Sequence, residues 1–384
     1  MNRAEKEGGS DTGGTSIPDP VWVPLKGGDR RGYSVVVTPG ALKHLPELAR
    51  EAVGAERYAV ISDSTVAPLY GEKAAALLTA SGAQADLFTF PAGEKQKSRE
   101  WWGRLTDALL AEGLGRDAAV VAVGGGVTGD LAGFVAATCL RGLPVIQVPT
   151  SLVAMIDSAV GGKTGVDHPQ GKNLVGAFHP PSLVVADPEV IRTLPRLQRS
   201  QGLAEALKHG AIRDVGYARG LGEEAEALLG GEGSSLARAV QRSVEIKAEV
   251  VGQDEREAGL RQILNFGHTI GHGLEAATDY ALPHGSAVSI GMVLESRLGE
   301  RLGVTEEGTA EVLEALLKEL ELPTDPPVAL SPRRVAQFMK ADKKVRAGRV
   351  GVVLLRRMGE VDPGTGWVHR VADEELTGFL TSVL

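Results

Sequence analysis

The sequence predicts two domains, an N-terminal α/β domain on a parallel sheet and a mostly α-helical C-terminal domain. From about residue 33 to residue 185, short β-branched runs alternate with amphipathic segments of helix length, as in parallel sheets with helical crossovers. After about residue 188 the strand signal fades. A chain of 384 residues, 43% of them hydrophobic, is long enough for two cores. The N-terminal domain is therefore predicted to be Rossmann-like.

Six runs are predicted to be strands, in chain order YSVVV, YAVIS, DLFTF, AAVVAV, PVIQV and LVVAD. The run AAVVAV, residues 118–123, has no polar alternation, so we expect a central strand covered on both faces. Helical periodicity then dominates segments 199–213, 221–252 and 306–321. A late run, Arg349 to Leu355, is predicted to be an edge strand.

The predicted divisions are a disordered tail at 1–18, a nucleotide-binding domain at 19–187 and a metal- and substrate-binding helical domain at 188–384. The net charge of −8 and the lack of a dense basic run argue against a nucleic-acid binder. The single cysteine, Cys139, excludes an internal disulfide and a zinc site of several thiolates. No apolar run reaches the ~18 residues of a membrane helix, so we expect a cytoplasmic protein.

Three glycines, Gly124 to Gly126, follow the predicted central strand and precede a helix. Their backbone can approach a pyrophosphate at the helix N-terminus, although a tight turn alone explains such a sequence equally well. Asp63 follows another strand, where it either accepts hydrogen bonds from ribose hydroxyls or caps the next helix. Glu94 and Lys97 lie in a loop that either reaches the adenosine half or is plain surface.

The stretch VPTSLVAMIDSAVGGKTGVDHPQGKN is too irregular for a simple helix. It contains Asp157, Lys163, Lys172 and Asn173, with Gly-Gly-Lys-Thr and Gly-Lys-Asn read as two loops. Lysines among glycines favour binding of an anion over surface filler. A Walker-type loop is excluded because the earlier glycine is missing.

Three of the eight histidines, His268, His272 and His284, fall within residues 268–284. On a helix, His268 and His272 share a face, as do Glu205 and Lys208. A glutamate and two histidines are a common ligand set for catalytic Zn²⁺. Capped or packed histidines are the alternative, but Arg261 and Asn265 nearby favour a site.

Two lysine groups have ordinary explanations on residue pattern alone. Lys343 and Lys344 stand at a predicted helix end, where they compensate the helix dipole or are solvated. Lys247 lies among acidic neighbours on a predicted helix, as in a surface ion pair.

Seven strings, GGGVTGD, VPTSLVAMIDSAVGGKT, GKN, GLAEALKHG, LNFGHTIGH, LPHG and DKK, occur in the order and spacing of the 3-dehydroquinate synthases. The chain resembles this sugar phosphate cyclase family over about residues 33–360. The resemblance implies a dehydroquinate synthase-like fold, NAD, one divalent metal (zinc or cobalt), a site between two domains and a homodimer.

The resemblance also implies roles for single residues. The implied metal ligands are Glu205, His268 and His284, whereas His272 matches a catalytic-pocket histidine. The helical spacing alone would instead pair His268 with His272. The implied catalytic or substrate-pocket residues are His272, Lys208, Asp157 and Asn265. The implied substrate contacts are Lys247 and Arg261 for a carboxylate, Lys163, Asn173 and Lys343 for a phosphate, and Arg141 for the neighbouring subunit's phosphate site. The implied cofactor residues are Asp63, Glu94, Lys97, Gly125, Gly126, Asp130, Thr150, Ser151 and Lys172.

The chain departs from the family pattern at three positions: Thr65 where many relatives have Asn, Ser151 where Thr is usual, and Ser286 where Glu is frequent. The implied reaction converts 3-deoxy-D-arabino-heptulosonate 7-phosphate to 3-dehydroquinate. An amino-analogue cyclase, a metal-dependent polyol dehydrogenase and a non-catalytic binding protein are the alternatives. Lys247 and Arg261, as a carboxylate clamp, argue against the inosose- and valiolone-forming relatives.

Overall fold

The computed structural model describes residues 17–26, 31–326, 330–341, 345–346 and 349–384. The strands of the N-terminal half are β1 (Val21–Pro24), β2 (Gly32–Val37), β3 (Arg57–Asp63), β4 (Gln84–Phe90), β5 (Ala118–Gly124), β6 (Val145–Pro149), β7 (Lys163–His168), β8 (Gly171–Phe178) and β9 (Leu183–Ala186). Seven of them form one sheet in the order β1-β2-β9-β6-β5-β3-β4. Only the β1–β2 pair in this sheet is antiparallel.

All six strands predicted from apolar runs are confirmed, and they form the parallel part of the sheet. Every residue of β5 is buried, as expected for a central strand. The helices of this half are α1 (Leu45–Ala52), α2 (Glu72–Ala80), α3 (Arg99–Ala111) and α4 (Gly126–Thr138). Alternate residues of β3 point to opposite faces, Tyr58 and Val60 toward α1 and α2, Ala59 and Ile61 toward α3 and α4.

The remaining helices are α5 (Arg196–Arg213), α6 (Val215–Glu223), α7 (Ala225–Gly230), α8 (Gly233–Gln253), α9 (His268–Ala277), α10 (His284–Arg301), α11 (Thr309–Glu319), α12 (Pro332–Ala341) and α13 (Asp373–Val383). The predicted helical segments are therefore confirmed, but 221–252 is interrupted. Helix α7 ends at Gly231, whose φ of 84° is a left-handed conformation typical of helix ends.

Two sequence predictions about strands are wrong. The two lysine-containing loops are instead β7 and β8, which form an antiparallel hairpin. A Cβ on Gly176 would lie 2.2 Å from the Thr164 carbonyl oxygen, so the glycines serve close strand pairing. The remaining strands are β10 (Val345–Arg346), β11 (Arg349–Val352), β12 (Leu355–Arg357), β13 (Glu360–Val361) and β14 (His369–Ala372). The predicted edge strand, β11, lies between β10 and β14, and Leu355 begins β12.

One hydrophobic cluster extends across both halves of the chain. Val35 and Val184 from the large sheet belong to the same cluster as Leu203 of α5 and Val240 of α8. The helices of the C-terminal half therefore cover one face of the β2–β9 end of the sheet. Near the predicted boundary, the Asp187 carboxylate accepts hydrogen bonds from the Gly40 and Glu189 amides at 2.8 and 3.0 Å. Division into domains at 187/188 stays a prediction.

Candidate active site and metal centre

Three helices bring Glu205, His268 and His284 together. His268 begins α9 and His284 begins α10, while Glu205 lies within α5 and is 1% exposed. The Glu205 Oε1 atom lies 3.5 Å from His268 Nε2 and 3.3 Å from His284 Nε2. Two glycines permit this approach, because a Cβ on Gly285 would lie 2.3 Å from the Gln201 carbonyl oxygen and one on Gly291 1.9 Å from that of Gly267.

The donor set of these three residues fits a divalent cation. Glu205 Oε1 is buried and accepts no hydrogen bond in the described part of the chain, while Oε2 accepts one from Lys208. His268 Nδ1 lies 3.1 Å from the Phe266 carbonyl oxygen, to which its N–H donates, so Nε2 is free to bind a cation. One carboxylate oxygen and two imidazole nitrogens leave coordination positions open for a substrate oxygen.

The protonation states agree with that fit. Burial opposes a charge on Glu205, but Lys208 and His268 hold the pKa of this carboxyl well below its usual range. Burial, together with Lys208, lowers the pKa of His268 to about 4, so its imidazole is neutral. Burial also opposes a charge on His284, but the nearby carboxylates of Glu205 and Glu275 outweigh it and raise its pKa to about 10. A bound cation would take the place of that proton.

His272 lies beside this group rather than within it. It follows His268 by one turn of α9, and their ring centroids are 5.3 Å apart. Among the described residues, two sets of side chains have metal-ligand spacing, and His272 belongs to the second, with Glu275 and His284. The pairing of His268 with His272 that spacing favours is therefore not the pairing found with Glu205. The pocket role of His272 stays a prediction.

Lys247 is a buried cation that pairs with the partly buried carboxylate of Asp157. Its ammonium donates to Oδ1 and to the carbonyl oxygen of Asp157, at 2.6 and 2.5 Å. Lys247 is 5% exposed, so the interpretation as a surface pair is wrong. Burial lowers the pKa of Lys247 to about 8, although Asp157 acts against this shift. Burial opposes a charge on Asp157, but Lys247 and Lys208 hold its pKa below the usual value.

A neighbouring group of polar side chains contains Arg261, Asn265 and Lys163. The Arg261 guanidinium is 2% exposed and donates to the carbonyl oxygens of Gly161 and Glu255, at 3.1 and 2.6 Å. The Asn265 amide donates to Glu257 Oε1 at 2.7 Å, and Lys163 pairs with the other oxygen of Glu257. Sequence reasoning missed Glu257, whose carboxylate contacts both Asn265 and Lys163, two predicted pocket residues.

The predicted cofactor residues lie at the carboxyl edge of the parallel sheet. Gly125 separates β5 from α4, which begins at Gly126, and Thr150 and Ser151 follow β6. At the end of β3, the Asp63 Oδ1 atom accepts from the Thr65 and Val66 amides at 2.9 and 3.1 Å. These bonds stabilise the turn after β3, whereas the helical segment that follows begins after Val66 and has no side-chain cap, so Asp63 is not its N-cap residue. The Asp63 Oδ2 atom accepts from Thr128 at 3.2 Å. This edge is where parallel α/β sheets bind nucleotides.

Lys97 connects two of the predicted sites. Its ammonium lies 2.6 Å from Asp130 Oδ2 on α4 and 2.5 Å from Asn173 Oδ1 on β8. Asn173 has a φ of 56°, a left-handed conformation that few residues other than glycine adopt. The structure thus joins a residue predicted to bind phosphate to two that are predicted to bind the cofactor.

The remaining predicted residues are placed as follows. Lys172 Nζ lies 3.4 Å from Glu94 Oε1 and 3.9 Å from Glu275 Oε1. Arg141 follows the C-terminal end of α4, and Gly126 is the first residue of this helix. The length of α4, about 20 Å, therefore separates Arg141 from Gly126. Lys343 and Lys344 lie outside the described residues.

Comparison with known proteins identifies the family. The family model described as 3-dehydroquinate synthase N-terminal matches residues 87–201, and the C-terminal one matches residues 202–345. The 3-dehydroquinate synthase of Symbiobacterium thermophilum is 48% identical over 331 residues, 86% of this chain and 92% of that protein. The chain belongs to the 3-dehydroquinate synthase family.

Two solved structures share the fold of this family member. A 2-deoxy-scyllo-inosose synthase complexed with carbaglucose-6-phosphate, NAD⁺ and Co²⁺ has a TM-score of 0.87 at 25% identity and covers 95% of this chain and all of its own. A 2-epi-5-epi-valiolone synthase from Streptomyces hygroscopicus, with NAD⁺ and Zn²⁺ bound, has a TM-score of 0.83 at 30% identity and covers 94% of this chain and 98% of its own. The predicted fold class is confirmed.

The three departures from the family pattern have modest local contacts. Thr65 contacts Asp63 through its backbone amide, and the Ser151 hydroxyl accepts from the Ala154 amide at 3.3 Å. Ser286 pairs with Gln201 of α5: its amide donates at 2.7 Å and its hydroxyl accepts at 2.9 Å.

Sequence reasoning missed Glu275, although it stands three residues after His272 and so shares its helix face.

Proposed function

We propose that this chain is a 3-dehydroquinate synthase that converts 3-deoxy-D-arabino-heptulosonate 7-phosphate to 3-dehydroquinate and phosphate. This reaction belongs to the shikimate pathway of aromatic amino acid biosynthesis, and the enzyme is a carbon–oxygen lyase. The observation that carries the proposal is the 48% identity to a curated 3-dehydroquinate synthase, 92% of whose length is matched.

The cofactors of the proposed enzyme are NAD and one divalent metal, zinc or cobalt. The presence of NAD⁺ with Co²⁺ or Zn²⁺ in the two structural neighbours supports this choice. The metal would be held by Glu205, His268 and His284. NAD would be held by the backbone at Gly125 and Gly126, at the carboxyl edge of the sheet. When bound, the metal supplies Lewis acidity and NAD supplies reversible hydride transfer, so that substrate oxidation and re-reduction occur within one turnover.

The chain's own side chains bind and orient the substrate. Lys247 and Arg261 are buried cations suited to a carboxylate, because burial removes competition from water. Phosphate binding is assigned to Lys163, Asn173 and Lys343, together with the partner subunit's Arg141. Holding the phosphate in one conformation lets it accept the proton that is lost in its own elimination.

Transfer of a proton to or from the C5 hydroxyl or the phosphate of the substrate is assigned to His272. Its side chain is 45% exposed beside His268 and His284, so it can reach both substrate and solvent. Lys208, fully buried against Glu205, stabilises negative charge that develops nearby, and Asp157 and Asn265 fix the surrounding groups. Replacing His272 with alanine would lower turnover if this assignment holds.

The proposed enzyme is a cytoplasmic homodimer with no nucleic-acid or membrane partner. The net charge of −8 supports the lack of a nucleic-acid partner. None of the helices in the described residues is both long and apolar enough to span a bilayer.

The deciding experiment measures phosphate release from 3-deoxy-D-arabino-heptulosonate 7-phosphate with NAD⁺, with and without a chelator, while absorbance at the NADH maximum is followed. The proposal expects chelator-sensitive phosphate release without accumulated NADH. Release only from the amino analogue of the substrate would move the assignment to an amino-substrate cyclase. Stoichiometric NADH would instead identify a dehydrogenase.

A further inference from the structure

Glu275 is a buried carboxylate behind the candidate metal centre that no role above uses. It lies on α9 and is 4% exposed. Its Oε2 atom lies 3.4 Å from His284 Nδ1 and 3.9 Å from His272 Nε2. Its Oε1 atom lies 3.9 Å from Lys172 Nζ on β8. A buried carboxylate needs such partners to offset its lost hydration.

The two nitrogens of His284 face different carboxylates. Nε2 lies 3.3 Å from Glu205 Oε1, and Nδ1 lies 3.4 Å from Glu275 Oε2. A neutral imidazole has one N–H and one lone pair, so it binds a cation through one nitrogen and donates through the other. The buried Oε1 atom of Glu205 makes no hydrogen bond, which places the cation on the Nε2 side and the N–H on the Nδ1 side.

We propose that Glu275 is a positioning residue of the metal centre, which accepts the Nδ1–H of His284 and thereby presents Nε2 to the cation. The group His272, Glu275 and His284 is then not a second metal site, because a neutral His284 that donates its Nδ1–H to Glu275 has only Nε2 left as a ligand. This inference deepens the proposed function and rests on it for the identity of the metal ligands.

His268 provides an internal comparison. Its Nδ1 donates to the Phe266 carbonyl oxygen, so its acceptor belongs to the adjacent backbone. His284 is the first residue of α10 and takes its acceptor from α9 instead. Both histidines therefore have the acceptor behind them that fixes the tautomer and the ring orientation of a metal-binding imidazole.

Ser286 stands where relatives frequently have a glutamate, and its hydroxyl and amide are hydrogen-bonded to Gln201. In this chain Glu275 supplies a negative charge directly to His284. Lys172, whose ammonium lies 5.0 Å from the centre of the Tyr280 ring, also lies 3.9 Å from the other oxygen of Glu275. A positive charge therefore faces this carboxylate from the hairpin side.

The test is binding of Co²⁺ to the metal-free full-length protein, measured by the visible absorption of the bound ion and by competition with a chelator. Glu275→Ala is expected to weaken Co²⁺ binding by about 10- to 100-fold and to alter the absorption band. Glu275→Gln keeps an acceptor for the Nδ1–H, so it is expected to recover part of the affinity.

Ser286→Ala is the matched control, since it changes a buried polar residue two positions from His284 without touching Glu275. It is expected to leave the Co²⁺ affinity within about twofold, which corresponds to less than half of a kcal/mol. Wild-type Co²⁺ affinity and spectrum in both Glu275 variants would overturn the inference. If Glu275→Ala does not fold, Glu275→Met, which keeps the side-chain volume but removes the acceptor, replaces it, and wild-type affinity and spectrum in that variant would overturn the inference.

The measurement separates this inference from the proposed function because it uses neither NAD nor substrate. If the protein binds Co²⁺ in a Glu275-dependent manner but releases no phosphate from the heptulosonate, the proposed reaction fails and the positioning role stands. If phosphate is released normally but Co²⁺ affinity ignores Glu275, only the positioning role fails.

Discussion

Directly after β5 and β6, the groups available to a ligand are backbone amides and the short side chains of Thr150 and Ser151. Between α5, α9 and α10 they are ionisable side chains, of which Glu205 and Lys208 are buried from water. Gly125 and Gly126 offer only backbone to a ligand. Glu205 and Lys208 are each 1% exposed and depend on each other for a counter-charge. A site made of backbone tolerates side-chain changes that preserve its conformation, but a site made of buried charges fails when one of them is removed.

The largest expected effect is that of Glu205→Ala, because this change leaves the Lys208 ammonium buried without its carboxylate. An uncompensated buried charge costs about 3–5 kcal/mol of the free energy of unfolding. We expect that loss in urea unfolding of the metal-free protein, together with loss of metal binding. The double variant Glu205→Gln with Lys208→Met removes both charges and should regain part of the stability. A single variant as stable as the wild type would contradict the prediction.

An intermediate effect is expected at the backbone site. A Cβ on Gly125 would lie 3.3 Å from the Ser151 hydroxyl, in the space where backbone would approach a pyrophosphate. Gly125→Val should weaken NAD binding about 10-fold or more, or about 1.4 kcal/mol, while Co²⁺ affinity is unchanged. Fluorescence titration with NAD measures this. Thr65→Asn, at the same edge, should have little effect. Unchanged NAD affinity in Gly125→Val would remove the glycines from the cofactor site.

The smallest expected effect is a pH dependence. Burial lowers the pKa of Lys247 to about 8, so its ammonium is lost as the pH rises through that value. Because a neutral amine cannot pair with a substrate carboxylate, kcat/KM should fall about 10-fold per pH unit above 8. In Lys247→Arg the guanidinium stays protonated, so the decline should disappear. An identical alkaline decline in both proteins would assign it to another group.

The local sequence predicted the parallel sheet well because each β-branched run carries its own signal. It did not predict the β7–β8 hairpin, since the glycines of Gly-Gly-Lys-Thr and Gly-Lys-Asn indicate loops unless the facing strand is known. It also placed β11 at an edge, although β10 and β14 flank it. Strand order depends on contacts between distant segments, which a local pattern does not contain.

The candidate site shows the same limit. Spacing along one helix pairs His268 with His272, but His284 reaches Glu205 only through the packing of α10 against α5. The acidic neighbours of Lys247 on α8 predict a surface residue, whereas Asp157, which pairs with its ammonium, is 90 residues away in the sequence. Resemblance to the family supplied the set Glu205, His268 and His284, but only the structure shows Glu275 behind it.

The hydrophobic cluster shared by the two halves bears on the order in which the chain can fold during synthesis. Val35 of β2 emerges from the ribosome long before its cluster partners Leu203 and Val240 are made. Until then, the β2–β9 end of the sheet has one apolar face without the helices that cover it. Nascent chains that end between β9 and α8 therefore expose an apolar surface that the helices of the complete chain cover.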